Sequence, residues 1–404
     1  MSGSGQQRPS RRVTVIGAGI AGASVAWTLA ERGWQVRVLE ASRAGAGGSG
    51  NPVAILYPKL VAAAQTPLHL QSMAFLQALE ILRDPRLAPH FRQTGVLWLD
   101  QRKQKADIGP DHPWWGEQVW RVDAAEASRL AGLPLPMSAL WLPHAGVLRP
   151  AGLLAALLAR PGITLVEGCP VHDLQPAADG WRLSTALGEE HADAVVLAHA
   201  GATGALHAGN DAGALPLKPV RGQVSLTPAG TQMLQTTLCY GGYLAPVADG
   251  GLCLGATFQP GRSDTDITHE DHLANARELE ALLPALAAAL PTPAIWQGRA
   301  SLRWQTPDYL PLAGHLPWLP GARRTLAAQP PGARQPRWDD HAPLLASLGH
   351  GAKGFTQAWP VATLIADLLE EKTPVMPTAL AERLRPDRFL LRDWRRGLFW
   401  RQPR

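Results

Sequence analysis

The segment Gly17-Ala18-Gly19-Ile20-Ala21-Gly22 constrains this chain more than any other, because of what flanks it. Before it, Arg12 to Ile16 (RVTVI) has the apolar character of a buried strand. After it, Ile20 to Arg32 is small and apolar at helical spacing and stops at Gly33, a helix C-cap residue. Gln35 to Glu40 then reads as a second strand. In such a unit Gly17 permits the tight turn, Gly19 lets a pyrophosphate approach the backbone, and Gly22 lets the helix pack closely on the sheet. The helix start at Ile20 offers free N–H groups and a positive dipole end to the anion. Glu40 stands about 20 residues past the glycines, where a carboxylate holds the ribose hydroxyls. An acid there argues against a 2′-phosphate and so against NADP. The unit predicts a dinucleotide site.

Whether that dinucleotide is NAD or FAD turns on a second glycine cluster. Gly349-His350-Gly351-Ala352-Lys353-Gly354, followed by Phe355, lies just before a helical stretch that includes Val361 to Leu369. Backbone N–H groups backed by a helix dipole suit the negative charge on the pyrimidine end of a reduced flavin. A simple NAD dehydrogenase has no use for a second cradle so far downstream, which points to FAD.

Stretches of different texture alternate between these two clusters. A glycine-rich loop from Ala44 to Asn51 precedes a helix around Leu68 to Leu82. Strands and Trp- and Pro-rich loops run from Val96 to His144, and helix returns at Ala151 to Ala159. Strands are expected at Ile163 to Leu174, Trp181 to Thr185 and Ala194 to Ala198. A second strand-rich stretch, Gln223 to Phe258, leads to a helix from His272 to Ala289, and dinucleotide-type elements come back at Ala342 to Leu369. Pro330 to Pro336 reads as a loop of low order. The expected fold is α/β. A Rossmann-type FAD-binding domain (12–92, 148–215 and 300–375) interleaves with an antiparallel-sheet substrate domain (93–147 and 216–299). A flexible segment, 1–11, precedes them and a basic tail, 376–404, follows.

With 46% hydrophobic and 18% charged residues in 404, the chain is too apolar for disorder and long enough for a large core. No apolar run approaches the ~18 residues of a membrane span, and the polar N-terminus lacks a signal-peptide core. Cys169, Cys239 and Cys253 are odd in number and without metal-type spacing, which fits a reducing compartment. A cytoplasmic protein with no membrane segment and no metal site is expected.

Beyond GAGIAG, the chain carries GSGNPVAILYPKL from Gly48, RGQVS from Arg221, CYGGYLAP from Cys239, RASLRWQTPDYLPLAG from Arg299 and GHGAKGF from Gly349. In these stretches it resembles the D-amino-acid oxidase and glycine oxidase superfamily of FAD enzymes. More narrowly, it resembles the C-terminal oxidoreductase domain of MnmC, a family of tRNA wobble-uridine modification enzymes. The resemblance covers nearly the whole length in the right order, although Ala54-Ile55-Leu56-Tyr57-Pro58 spaces its alanine and leucine differently. It implies that Gly48, Ser49, Gly50, Asn51, Val171 and Gly201 join Gly349, Gly351, Lys353, Gly354 and Phe355 around the flavin. It also implies Arg303 as the anchor of a substrate carboxylate, a task that suits a guanidinium fork. Of Tyr240 and Tyr243, whose odd spacing puts them on opposite faces of a strand, the match favours Tyr243 as the one in the pocket. Arg221 either faces the flavin or braces two strands. The covalently flavinylated sarcosine oxidases of the superfamily use a cysteine just before a TPD-like stretch. None precedes Thr306-Pro307-Asp308, so the FAD is expected to be noncovalent.

The implied reaction is oxidation of a C–N bond in a glycine-like group: removal of the carboxymethyl group from 5-carboxymethylaminomethyl(-2-thio)uridine in tRNA, with glyoxylate leaving. Residues before Gly17 leave no room for the methyltransferase that accompanies this activity in the family, so the expectation is either a separate methyltransferase as partner or a pathway that stops early. The net charge of +5 is concentrated at the ends: from Met376 to Arg404 eight arginines face three acids, and Arg8, Arg11 and Arg12 stand at the start. Such ends suggest a polyanionic partner, here tRNA bound by the C-terminal tail. A packed or merely solvated tail is the bland alternative. An oxidase of free glycine, sarcosine or a D-amino acid, or a flavin-containing scaffold without turnover, would share the cradle.

Overall fold

A computed structural model of the chain describes residues 11–99, 108–201, 206, 215–231, 234–330, 333, 338 and 341–398. The expectation of a flexible N-terminus falls outside these residues except at Arg11, and most of Pro330 to Pro336 also lies outside them.

The glycine motif sits in a six-stranded sheet with the order Leu312–His315, Leu344–Leu348, Val195–Leu197, Arg12–Ile16, Gln35–Leu39, Ile163–Val166. All neighbours are parallel except Leu312–His315 against Leu344–Leu348. Val15 pairs with Val38 on one side and Val196 on the other, a central position in which Val13 to Ile16, Thr14 included, are all buried. Helix Ile20–Glu31 packs against helix Gly354–Leu369, where small residues such as Ala23, Ala26, Ala358 and Ala362 permit close approach. Arg32 ties their C-terminal ends by ion pairs to Asp367 (2.7 Å) and Glu370 (3.1 Å). The two glycine clusters, distant in sequence, therefore open on the same end of the sheet.

The second layer is a nine-stranded sheet, antiparallel except where Val96–Trp98 runs parallel to Thr237–Cys239. Its spine is the long pair Lys218–Leu226 and Gln297–Gln305, in register from Lys218↔Gln305 to Leu226↔Gln297. The expected division at 299/300 falls inside this strand.

Three expected elements differ. The helix from His272 to Ala289 is two helices, His269–Glu280 and Pro284–Ala289. Thr268 caps the first, and Pro284, lacking an N–H, starts the second at its first turn. The strand from Ile163 to Leu174 is broken around Gly168 (φ +64°) and Pro170, so that Val171–Ala177 joins a separate three-stranded meander. The segment expected as a basic tail is folded onto the body over helices Thr378–Leu384 and Arg388–Arg395, burying Leu384, Phe389, Leu391 and Trp394. Arg385 pairs with Asp387, and Arg388 with Asp308. Phe399, Trp400, Arg401 and Arg404 lie outside the described residues, while Arg383, Arg395 and Arg396 are exposed. Among the described residues the three cysteines are buried and unbridged, and no helix is long and apolar enough to cross a membrane.

Candidate active site

A cavity of about 960 Å³ opens between the two sheets. One end is built by the first glycine turn. Gly17 has φ +106°, which favours glycine, and a Cβ there would lie 2.8 Å from the Ala198 carbonyl oxygen. Gly22 crosses Gly17 so closely that a Cβ would sit 1.9 Å from the Gly17 carbonyl oxygen; it packs the helix and does not line the cavity. Gly19 is the helix N-cap, and a Cβ there would meet only Ser49, its remaining side being open to the cavity. The Ile20 N–H donates to Ser49 Oγ at 3.0 Å, and the Glu40 carboxylate accepts from the N–H groups of Ala18 (2.8 Å) and Ser42 (3.0 Å). Strand end, helix start and carboxylate thus converge on one wall, with Val171 beside them.

The loop after the second strand forms the roof. Gly48, Ser49 and Asn51 line the cavity, whereas Gly50 is turned inward, a Cβ there falling 2.2 Å from the Gly45 carbonyl oxygen. Arg299 pins this loop by donating to Asn51 Oδ1 (2.9 Å), Ala46 O (2.8 Å) and Gly47 O (2.6 Å). Sequence reasoning missed Arg299. Its even spacing from Arg303 on one strand was the available signal, since it places both on the same face.

Beside the first helix start, with a Cβ on Gly354 falling 2.9 Å from Ile20 Cγ2, Gly349, Gly351, Lys353, Gly354 and Phe355 line the cavity where the strand Leu344–Leu348 hands over to the helix Gly354–Leu369. Lys353 Nζ donates to the Tyr57 hydroxyl at 2.7 Å. His350, also missed, lines the cavity; its Nε2 is 3.0 Å from Ser347 Oγ, its Nδ1 is buried without a partner, and burial pushes its pKa down to about 4.

Arg303 and Tyr243 face each other across the second sheet's part of the cavity. Arg303 Nη2 donates to the Thr257 carbonyl at 2.7 Å, and among the described residues no carboxylate pairs with the guanidinium. Burial lowers its pKa, opposed by Tyr243, and burial raises that of Tyr243. The guanidinium reaches this position across Gly222, where a Cβ would overlap Nη2 at 1.4 Å; Gly222 was missed, although it stands in the RGQVS stretch. Tyr240 points the other way, into the core, its hydroxyl donating to the Tyr243 carbonyl at 3.3 Å.

Besides Gly22 and Gly50, two more residues named from sequence lie apart from the cavity. Gly201 is packed under Trp304, whose ring a Cβ would meet at 2.0 Å. Arg221 is fully buried and braces the sheet, donating to Asp271 (2.6 Å) and Gln259 (2.7 Å).

These features fit FAD. The glycine turn and Glu40 suit an adenosine diphosphate, the cavity continues to a second helix start, and the partnerless His350 Nδ1 gives that end an unused polar atom. Residues 12–368 match the family of FAD dependent oxidoreductases, DAO, so the chain belongs to that family and is an FAD-dependent oxidoreductase.

Within curated proteins it is similar to the tRNA 5-methylaminomethyl-2-thiouridine biosynthesis bifunctional protein MnmC of Chromohalobacter salexigens. The two are 38% identical over 411 residues, covering 96% of this chain and 58% of that protein. The MnmC of Methylobacillus flagellatus is 36% identical, with 96% and 61% covered. The chain spans about three-fifths of the length of these relatives. Among solved structures, glycine oxidase from Geobacillus kaustophilus shares the fold with a TM-score of 0.69 at 23% identity, covering 94% of this chain and 99% of that one.

Proposed function

We propose that the chain oxidises the secondary amine of 5-carboxymethylaminomethyluridine, or its 2-thio form, at the wobble position of tRNA, giving aminomethyluridine and glyoxylate. The observation that carries this is Arg303, a half-buried guanidinium facing the cavity with no acidic partner among the described residues. A cation held this way is suited to a carboxylate that arrives with the substrate. The similarity to MnmC proteins supports the choice of tRNA as the carrier of that carboxylate.

Bound FAD supplies a two-electron oxidant, held noncovalently. Gly17, Gly19, Ile20 and Glu40 would hold its adenosine diphosphate part, and Ser49, Asn51 and the Gly349–Gly354 turn the remainder. Arg303 fixes the carboxylate and, with Tyr243, orients the adjoining CH₂–NH group. A fixed cation beside the amine disfavours its ammonium form, so the amine binds neutral and needs no dedicated base. Oxidation removes two hydrogens with their electrons from the N–CH₂ bond. Water then adds to the resulting C=N, and the C–N bond breaks to release glyoxylate. The aminomethyl product is a methyl acceptor, so a methyltransferase is the partner activity this reaction implies. Arg383, Arg395 and Arg396, which are exposed, would contact RNA phosphates, and a cytoplasmic location would follow from the substrate.

The test is to incubate the yellow protein with tRNA carrying 5-carboxymethylaminomethyluridine and to analyse its nucleosides. Conversion to aminomethyluridine with stoichiometric glyoxylate is expected. Turnover of glycine or sarcosine without any change in tRNA would identify a small-amine oxidase instead.

A further inference from the structure

Phe258 is 56% exposed and at the same time lines the cavity that contains Arg303 and Tyr243. An exposed phenylalanine is by itself ordinary surface. This one is set apart by the backbone that carries it. On one side Thr257 is pinned: its N–H donates to the Gln223 carbonyl (3.2 Å), its Oγ1 accepts from the Gln223 N–H (2.9 Å), and its carbonyl accepts from Arg303 (2.7 Å). On the other side Gln259 pairs in register with Arg221, and its side-chain amide bridges Arg221 (2.7 Å) and Asp271 (2.9 Å). The ring itself joins none of the hydrophobic clusters among the described residues.

We propose that Phe258 determines specificity by stacking on the pyrimidine of the substrate while Arg303 holds its carboxylate. The inference rests on the reaction proposed above and names the residue that reads its base. The geometry behind it is the peptide that joins the two contacts. Thr257, whose carbonyl positions Arg303, is bonded directly to Phe258, and consecutive Cα atoms lie ~3.8 Å apart. The carboxylate anchor and the stacking surface are therefore held by adjacent residues of one pinned segment, and in the substrate only a short CH₂–NH–CH₂ spacer separates carboxylate from ring. Bases of single-stranded RNA loops are free to be splayed onto aromatic side chains. Glycine and sarcosine present nothing to such a ring, so an exposed aromatic at this mouth favours a base-bearing amine over a free one.

The experiment compares holo wild type, Phe258→Ala and Phe258→Tyr on three substrates: tRNA carrying 5-carboxymethylaminomethyluridine, the free nucleoside, and N-methylglycine. Phe258→Ala is expected to lower kcat/KM for both base-bearing substrates by about 5- to 150-fold relative to N-methylglycine, chiefly through KM, with Phe258→Tyr restoring most of it. Equilibrium dialysis of 5-aminomethyluridine should show a matching loss of affinity in Phe258→Ala, without turnover. An equal loss on all three substrates would mean the ring only shapes the pocket, and a loss on tRNA alone would mean it meets a neighbouring nucleotide. Either overturns the inference. Wild type that oxidises tRNA while Phe258→Ala keeps the same substrate ratio and nucleoside affinity overturns this inference alone. Wild type that oxidises N-methylglycine but neither base-bearing substrate overturns it together with the proposed function.

Discussion

Gly222→Ala separates the placement of Arg303 from its presence. The Cβ that alanine adds at 222 would lie 1.4 Å from Arg303 Nη2, 2.5 Å from its Cζ and 2.7 Å from the Thr257 carbonyl oxygen. Residue 222 sits mid-strand opposite Ser301, in extended backbone that alanine adopts freely, so the collision and not the backbone decides the outcome. The guanidinium has to move, losing its hydrogen bond to Thr257 and its aim into the cavity. With a charge-assisted interaction worth about 1.5–3 kcal/mol misplaced, kcat/KM on a carboxylate-bearing substrate should fall about 10- to 150-fold. Overpacking should lower stability by about 1–3 kcal/mol, with flavin retained. The assay is steady-state kinetics on holo protein for Gly222→Ala, Arg303→Ala and the double variant. Because alanine acts through Arg303, the double variant should lose no more than Arg303→Ala alone. A Gly222→Ala protein within twofold of wild type, or losses that add in the double variant, would refute the reasoning.

Three further expectations are open to measurement. Gly19→Val directs a branched side chain into the open side of the first helix start, so the variant should fold but purify colourless, whereas acid precipitation of wild type should release all its flavin; a yellow variant sinks the assignment of that turn. His350 has a folded pKa of about 4 against an ordinary 6.5, so the stability it contributes is present above pH 6.5 and is lost as pH falls toward 4, at up to ~1.4 kcal/mol per pH unit. Wild type should therefore lose Tm more steeply than His350→Gln between pH 6.5 and 4.5, and parallel curves would contradict the buried, neutral imidazole. Changing exposed Arg383, Arg395 and Arg396 together to glutamine should weaken tRNA binding and flatten its salt dependence by ~0.7–0.9 in slope for each phosphate no longer neutralised, while an unchanged slope would leave these arginines without a role in RNA binding.

The sequence by itself determined what is local. The strand, the turn through Gly17 and Gly19, the helix start at Ile20 and the position of Glu40 are set by neighbours within one strand–helix–strand unit, where backbone sterics and hydrogen bonding decide the conformation. The same holds for the Gly349–Gly354 turn before its helix. Long-range placement was a different matter. Arg221 and Arg303 both stand in strands and differ little as sequence. Only the register Val220↔Arg303, with Asp271 supplied by another element, buries Arg221 in an ion pair and leaves Arg303 facing the cavity. Gly222 matters because of an atom that arrives from the neighbouring strand, and Arg299 because of a loop about 250 residues earlier in the chain. From sequence the C-terminal arginines fit either an RNA-binding tail or a segment packed on the body; in the structure Phe389, Leu391 and Trp394 are buried and Arg388 pairs with Asp308. Charge and apolar spacing are written in the chain, but which cation keeps a partner and which is left for a ligand is decided by packing between segments that sequence does not bring together.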